Sequence, residues 1–210
     1  MSKKNFSIFF VFVGLITICS SLFICIKFLD AQIAIKIMHF LRSFHEVNKV
    51  TRNIPDFLPH FVAVGSVFMW VIYFYRLQKK KFDVETQFLK LGGIVLPIAY
   101  MVKTLLKFPF GRTSPRAWLL QNHPLKFHWF KTWNSSFPSG HMIVFVAFGT
   151  AILIYYPKYR NLVLIFLIML GAALILTDYH FLSDVIAGAC FGFITTYSVF
   201  HLLRKEPLKD

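Results

Sequence analysis

Residues 137–156 read FPSGHMIVFVAFGTAILIYY, a short polar start followed by an apolar run without a charged residue. A membrane-spanning helix needs ~20 apolar residues, because the hydrocarbon core is about 30 Å thick and a helix rises ~1.5 Å per residue. Lipid offers no partner to backbone polar groups, so such a run is expected to be helical. The stretch predicts a membrane helix that opens with Pro138-Ser-Gly-His141.

Similar apolar runs lie on both sides of this stretch. With 57% hydrophobic residues and a mean hydropathy of +0.61, the chain has more apolar surface than a soluble core of this size buries. The predicted spans cover residues 6–28, 57–75, 86–106, 139–156, 161–178 and 184–203. The first run is longer than a signal peptide's apolar region and lacks a small-x-small cleavage site, so we expect it to be retained. The prediction is an all-α, integral membrane six-helix bundle in a single domain, 1–210.

The basic residues indicate a membrane partner rather than nucleic acid. The formal net charge is +14, and the charges lie between the apolar runs, where anionic lipid headgroups are the expected partner. An even number of spans places both termini on one side, and the density of Lys and Arg there makes it cytoplasmic by the positive-inside rule. We therefore expect a bacterial inner-membrane protein whose third, fourth and sixth spans meet on the outer, periplasmic face.

Residues 31–47 show a different pattern. Gln32, Lys36 and His39 recur at three- and four-residue steps, and apolar residues fill the opposite stripe. This predicts an amphipathic helix outside the bundle. It either lies on the membrane surface or packs against the outer rim of the bundle.

Three polar clusters fall at the outer ends of spans. The first is the basic turn from Lys107 to Arg116, the second is Pro138-Ser-Gly-His141, and the third runs from His180 to Asp184. The four-residue step of the third cluster places His180 and Asp184 on one helix face, where the carboxylate can orient the imidazole. Two histidines, a carboxylate, cations and a helix N-terminus on one face predict a phosphoryl-transfer site.

These clusters, in this order, resemble those of the type 2 phosphatidic acid phosphatase superfamily, whose fold is shared with vanadium haloperoxidases. The family carries Lys, six residues and Arg-Pro, then Pro-Ser-Gly-His, then Ser-Arg, five residues, His, three residues and Asp. The resemblance covers about residues 86–203, and the middle motif is intact at Pro138–His141.

The resemblance implies a membrane lipid phosphatase that forms a phosphohistidine. His180 is then the nucleophile, Asp184 orients it, and His141 is the proton donor to the leaving oxygen. The groups expected to hold phosphate are Lys107, Arg112, Ser139 and Gly140. No metal or other cofactor is implied; the expected partners are a phosphorylated lipid and the bilayer.

The chain departs from the family pattern at two arginine positions. Ser114 stands where the first motif has Arg, so either Arg112 or Arg116 is expected to reach the phosphate. Leu174 stands where the third motif has Arg. Loss of a cation weakens transition-state stabilisation, which leaves a binding-only lipid-phosphate protein as the alternative. A small transporter is a third alternative, because charged residues near spans can mark solute paths. It is the weakest alternative, since the ionisable residues cluster at one face.

Overall fold

The computed structural model describes residues 3–42 and 57–204. The helices are α1 Lys3–Ile24, α2 Asp30–Arg42, α3 Leu58–Gln78, α4 Val84–Phe110, α5 Pro115–Gln121, α6 Gly140–Tyr155, α7 Arg160–Leu176 and α8 Leu182–Arg204. A π-helical turn, Cys25–Leu29, joins α1 to α2, and a 3-10 turn, Pro157–Tyr159, precedes α7. In these two ranges every regular element is helical, which confirms the predicted all-α class.

Within the described residues, five helical segments are long and apolar enough to cross a membrane. They are Ile16–Phe40, Leu58–Gln78, Val84–Phe110, Pro157–Leu176 and Leu182–Arg204. Large apolar side chains on their outer faces are exposed, and lipid is the solvent that such faces need. The chain is therefore an integral membrane protein. The helix α6, predicted as a span, has 16 residues and rises about 24 Å, less than the ~30 Å hydrocarbon core.

Helix α6 lies at the centre of the bundle and packs against α4, α7 and α8. Its residues Ile143, Val144 and Ala147 have no exposed surface. An α-helix that is apolar on all sides is normally buried among other helices, and α6 has this position. This central position brings the Pro-Ser-Gly-His stretch between the ends of α4 and α8.

Small residues allow α8 to approach α6 closely. A Cβ on Gly188 would lie 2.6 Å from the carbonyl oxygen of Ser139, and one on Gly192 would lie 2.4 Å from that of Ile143. One further turn along α8, the hydroxyl of Thr196 donates to the carbonyl oxygen of Ala147 at 2.8 Å. Glycines four residues apart are a frequent means of close helix contact in membranes. The contact fixes the first turns of α6 and α8 side by side.

The N-terminal region differs from its prediction. The sequence placed a span at residues 6–28 and a separate amphipathic helix at 31–47, whereas the helix continues from Lys3 to Arg42 through the π-helical turn. Residues 43–47 lie outside the described part of the chain. The predicted polar stripe of Gln32, Lys36 and His39 starts after Asp30, which is the first residue of α2 and is buried, with 1% of its surface exposed. Helix α2 packs against α5 and α8.

Candidate active site

The end of α4 forms one wall of the site. Lys103 and Lys107 are one helical turn apart, which places both side chains on the same face. Helix α4 ends at Phe110 and is followed by Gly111, whose φ of 52° is the left-handed conformation that favours glycine. A Cβ at Gly111 would lie 2.7 Å from the carbonyl oxygen of His128. The turn directs the next residue, Arg112, back into the bundle, where 2% of it is exposed.

The segment between α4 and α6 closes around the backbone of Arg112. The Arg112 N–H donates to the Ser135 hydroxyl at 2.8 Å, and the Arg112 carbonyl accepts from the Ser136 N–H at 2.9 Å. The N–H of Thr113 donates to the carbonyl of Lys126 at 3.1 Å. The backbone of Arg112 is thus held on both sides before its side chain makes any contact.

The first residues of α6 form a second wall of the site, and they contact both α8 and α4. Ser139 is the N-cap of α6, is fully buried, and donates its N–H to the backbone carbonyl of Asp184 at 3.0 Å. Gly140 begins the helix, and a Cβ there would lie 2.6 Å from Cγ of Lys103. The Lys103 side chain therefore packs against α6 at a residue that has no Cβ. This contact explains why glycine, a poor helix former, stands at this position.

A buried charge network lies behind the site. Nη1 of Arg112 donates to Oδ1 of Asp184 at 2.6 Å and to the Ser183 hydroxyl at 2.7 Å. Nη2 of Arg112 donates to Oδ2 of Asp30 at 2.7 Å. Neither carboxylate side chain has exposed surface. One guanidinium therefore lies between two carboxylates, an arrangement in which buried charges are compensated by pairing.

Asp184 connects this network to His180. Oδ2 of Asp184 accepts the N–H of Phe181 at 2.9 Å and lies 3.6 Å from Nδ1 of His180. That distance is longer than a hydrogen bond. Within the described residues, Nδ1 of His180 and Nε of Arg112 are buried polar atoms with no hydrogen-bond partner. We assign the His180 proton to Nδ1, which faces the carboxylate, so Nε2 carries the lone pair.

The second histidine lies across a tyrosine ring from the first. His141 is in the first turn of α6, and its ring centroid is 5.9 Å from that of Tyr179. The ring of Tyr179 is in turn 5.4 Å from that of His180. The two imidazoles and the tyrosine thus belong to one group of rings on the same side of the bundle.

Both histidines line a cavity of about 450 Å³. Its cationic side chains are Lys103, Lys107, Arg112 and Arg116, and its histidines are His123, His128, His141 and His180. A wall with lysine and arginine side chains favours an anionic ligand, and imidazoles can transfer protons to or from it near neutral pH. The cavity is large enough for a phosphorylated headgroup.

The structure brings five of the predicted site residues to this cavity and leaves two behind its wall. The residues that line it are Lys107, Arg112, Gly140, His141 and His180. Ser139 and Asp184 are fully buried next to it. Ser139 caps α6, and Asp184 contacts Arg112, so both act on neighbours of the cavity. A direct contact between Ser139 and phosphate stays a prediction.

The two residues that stand where the family pattern has arginine, Ser114 and Leu174, have structural roles. The hydroxyl of Ser114 caps α5 by accepting the N–H of Ala117 at 3.2 Å. Leu174 is buried in an apolar cluster with Met142 and Val185. Neither position supplies a cation, so the positive charge of the cavity comes from other residues.

Arg116 is one of those residues. Its Nη2 donates to the carbonyl oxygen of Thr177 at 2.8 Å, and its guanidinium lies 5.1 Å from the centre of the Tyr179 ring. The sequence had left open whether Arg112 or Arg116 reaches the phosphate. Both line the cavity, but Arg112 directs two of its nitrogens to buried carboxylates.

A further carboxyl group lies close to Arg116. Asp178 follows α7 with a φ of 53°, is 8% exposed, and has one oxygen, Oδ1, without a hydrogen-bond partner in the described residues. Burial raises the pKa of Asp178 to about 6, and the charge of Arg116 opposes that change. Asp178 is therefore partly protonated at mildly acidic pH.

Sequence reasoning missed Asp30. It lies outside every motif, and the pattern at residues 31–47 directed attention to the polar residues that follow it. One signal was available: Asp30 is an acidic residue at the end of a long apolar run, where a charge is costly unless it is paired. The partner, Arg112, lies 82 residues away and has no local link to it.

Comparisons with known proteins show which sequences this chain resembles. The family model of the PAP2 superfamily matches residues 88–207. The chain is 27% identical over 173 residues to the bacitracin transport permease protein BcrC of Bacillus licheniformis, which covers 78% of this chain and 75% of that protein. It is 42% identical over 57 residues to a lipid A 1-phosphatase of Rhizobium etli, covering 27% of this chain and 25% of that protein. No solved structure matches the chain.

Proposed function

The chain belongs to the PAP2 superfamily, and on this premise we propose that it is an integral membrane phosphatase that removes phosphate from a lipid. The observation that carries the proposal is that His141 and His180 line one cavity together with lysine and arginine side chains. Such a cavity supplies a nucleophile, a proton donor and positive charge for a phosphoryl group.

In the first step, Nε2 of His180 attacks the phosphorus atom of the substrate. A bond forms between Nε2 and phosphorus, and the bond from phosphorus to the lipid oxygen breaks. His141 gives its proton to that oxygen, and the lipid leaves as an alcohol or, from a pyrophosphate, as a monophosphate. Asp184 faces Nδ1 of His180 and stabilises the positive charge on the phosphorylated ring.

In the second step, water attacks the phosphorus atom of the phosphohistidine. His141, now neutral, accepts a proton from the water as the new oxygen–phosphorus bond forms. The bond from Nε2 to phosphorus breaks, which returns His180 to its neutral form and releases inorganic phosphate. His141 ends the cycle protonated, ready for another substrate.

Positive charge on the cavity wall binds the phosphoryl oxygens of the substrate. Lys107 contributes a charge from α4, Gly140 contributes the N–H that begins α6, and Arg112 contributes its unpartnered Nε. Arg116 supplies the guanidinium that the family pattern has at position 114. Ser139 supports the site by capping α6. These cations supply the charge that a metal ion provides elsewhere, so the reaction is metal-independent.

A lipid substrate is supported by the position of the cavity. Its lining includes the last turns of α4, a candidate span, the first turn of α6, and Tyr179 and His180, which come directly before the candidate span α8, so a bound headgroup lies next to the bilayer. One relative is a lipid A 1-phosphatase, which supports a phosphorylated lipid. The substrate is a lipid phosphomonoester or pyrophosphate.

The proposed topology has six spans, with α6 as the short span beside five longer ones. Both termini are cytoplasmic and the cavity opens on the outer face of a bacterial inner membrane. In a chain whose native cysteines, Cys19, Cys25 and Cys190, are replaced, Lys131→Cys should react in intact cells with a membrane-impermeant maleimide. Lys80→Cys, at the opposite end of the bundle, should react after lysis. The reverse labelling pattern would contradict this orientation.

The function is tested by phosphate release from purified protein in detergent. The panel contains phosphatidic acid, phosphatidylglycerophosphate, an isoprenyl pyrophosphate and lipid A phosphate. We expect turnover of at least one lipid, unchanged by EDTA and inhibited by orthovanadate. His180→Ala and His141→Ala should each lower kcat by at least about 10³-fold, as loss of a nucleophile or general acid does.

The matched control is His201→Ala, because His201 is an exposed histidine near the far end of α8. This variant should retain full activity. Full activity in His180→Ala protein would remove the proposed nucleophile, and loss of activity in EDTA would remove metal independence.

A binding-only protein is the second candidate, and one observation favours it. Leu174 is buried in an apolar cluster at the position where the family pattern has a phosphate-binding arginine. If this candidate is correct, purified protein will bind phospholipid headgroups but release no phosphate from any lipid of the panel.

A further inference from the structure

Asp30 is a buried carboxylate that the family region does not contain. The family match begins at residue 88, whereas Asp30 lies at the start of α2. Its N–H donates to the carbonyl of Cys25, the bond that closes the preceding π-helical turn. Such turns are frequent at functional sites, because the extra residue redirects the side chains that follow. Here the carboxylate that follows is fully enclosed and reaches α8.

The side-chain contacts of Asp30 connect it, through Arg112 and Asp184, to His180. Oδ1 accepts the Ser183 N–H at 3.0 Å, and Oδ2 accepts both the Ser183 hydroxyl and Nη2 of Arg112. Arg112 donates from its other terminal nitrogen to Asp184, the carboxylate that faces His180. Asp30 is therefore two residues removed from His180, through Arg112 and then Asp184.

The charges in this chain of contacts do not cancel. Asp30 and Asp184 are two carboxylates on one guanidinium, which gives the three side chains a net formal charge of −1. Without Asp30, Arg112 would neutralise Asp184 alone. Because water is excluded, this remaining charge is weakly screened and acts on the nearest group that can become positive. That group is His180.

We propose that Asp30 is a positioning residue of the active site: it shares the guanidinium of Arg112 with Asp184 and so leaves Asp184 able to support a positive charge on His180. The proposal rests on the proposed function, in which that positive charge develops when phosphorus bonds to Nε2. It assigns the N-terminal helix, outside the family region, a part in the chemistry.

Other charged and titratable groups also face His180 across the cavity. The cations are Lys103 and Lys107 from α4, Arg112 from the turn after it, and Arg116 from α5. The remaining groups are His141 from α6, His123 and His128 from the segment before it, and Tyr179 beside His180. All of them are unchanged in Asp30→Asn protein, so a change at His180 in that variant reports the loss of one carboxylate.

The first measurement does not need turnover. Diethyl pyrocarbonate modifies neutral imidazole, and mass spectrometry of the peptide that contains His180 gives its modification rate at each pH. The side chain of asparagine has nearly the same shape as that of aspartate and keeps one acceptor, but it has no charge. In Asp30→Asn protein we expect the half-maximal rate at a lower pH, by at least about half a unit, because a positive His180 has lost its support.

The second measurement is phosphate release by the same protein. We expect kcat to fall about tenfold or more, with KM changed less than about twofold, because the lost charge acts in the transition state rather than in binding. Asp30→Glu keeps the charge. It should restore the wild-type pH of half-maximal His180 modification even if its longer side chain lowers the yield of folded protein.

The matched control for packing is Thr196→Val. Thr196 is fully buried on α8 and its hydroxyl bonds to α6, but it has no charge. We expect this variant to be less stable than wild type and to show an unchanged pH of half-maximal His180 modification.

Two results would overturn the proposal. One is an Asp30→Asn protein whose His180 modification has the wild-type pH dependence, which would make Asp30 a purely structural residue. The other is an equal displacement in Thr196→Val, which would show that any loss of packing produces it. If wild-type protein hydrolyses no lipid of the panel, the proposed function fails, and the modification profile still decides on Asp30.

Discussion

The cavity has two sides that differ in how their charges are held. The buried side consists of Asp30, Arg112, Ser183 and Asp184, whose side chains bond to one another away from solvent. The rim consists of Lys107, Arg116, His123 and His128, which are partly or fully exposed. Charges on the buried side are fixed in place and weakly screened, whereas water and salt weaken those on the rim. The buried side should therefore control the chemical step, and the rim should control substrate binding.

The strongest test of this difference is Asp184→Asn. The amide keeps the shape but cannot support a positive His180, so we expect kcat to fall by about 10³- to 10⁴-fold, the size seen when an orienting carboxylate is neutralised elsewhere. KM should change little. Steady-state phosphate release over a range of lipid concentrations gives both constants.

The control for Asp184→Asn is Asp83→Asn. Asp83 caps α4 at the end away from the cavity, and asparagine keeps the acceptor that bonds to the Thr86 N–H. Its activity should equal that of wild type. A kcat of Asp184→Asn within about tenfold of wild type would show that the buried side does not control the chemical step.

The second test asks whether helix packing holds the buried side in place. In Gly192→Ala protein the new Cβ would lie 2.4 Å from the Ile143 carbonyl oxygen, so α6 and α8 must separate. Such overpacking costs about 1–3 kcal/mol and should lower the melting temperature by several degrees. Thermal unfolding in detergent measures this. Gly14→Ala is the control, because nothing lies within 4 Å of the added Cβ; an equal loss in both variants would contradict the packing argument.

The two sides also differ in how far the sequence predicts them. The helices α4, α6 and α8 follow from local apolar runs, and the step from His180 to Asp184 is a local helical repeat. The buried pairing of Asp30 with Arg112 joins residues that are distant in the chain, and no local pattern encodes it. The resemblance to the family implied that Arg112 or Arg116 is a cation near phosphate, but not that two nitrogens of Arg112 are directed to carboxylates. Burial and partner choice are properties of the assembled bundle.

The third test concerns the rim. Arg116→Ala removes a partly exposed guanidinium, and we expect KM to rise about tenfold while kcat falls less than about threefold. Arg116→Lys should recover part of the loss, because it keeps the charge without the planar fork of donors. Arg160→Ala is the control, since Arg160 is exposed at the start of α7. A fall in the kcat of Arg116→Ala as large as that of Asp184→Asn would show that the rim also controls the chemical step. That result would contradict the distinction between the rim and the buried side.

The smallest expected effect is a pH dependence of stability caused by Asp178, a buried carboxyl group near the rim. It distinguishes Asp178 from the paired carboxylates of the buried side, Asp30 and Asp184. Burial raises the pKa of Asp178 to about 6, above its usual value of 3.8, so the folded protein binds this proton more tightly than the unfolded chain does. Stability should therefore fall as pH rises through the interval from about 4 to 6. Asp178→Asn cannot titrate and should melt higher than wild type at pH 7, with a difference that shrinks towards pH 4. Melting curves in detergent across this interval measure it. A difference independent of pH would mean that Asp178, like Asp184, keeps its charge through pairing.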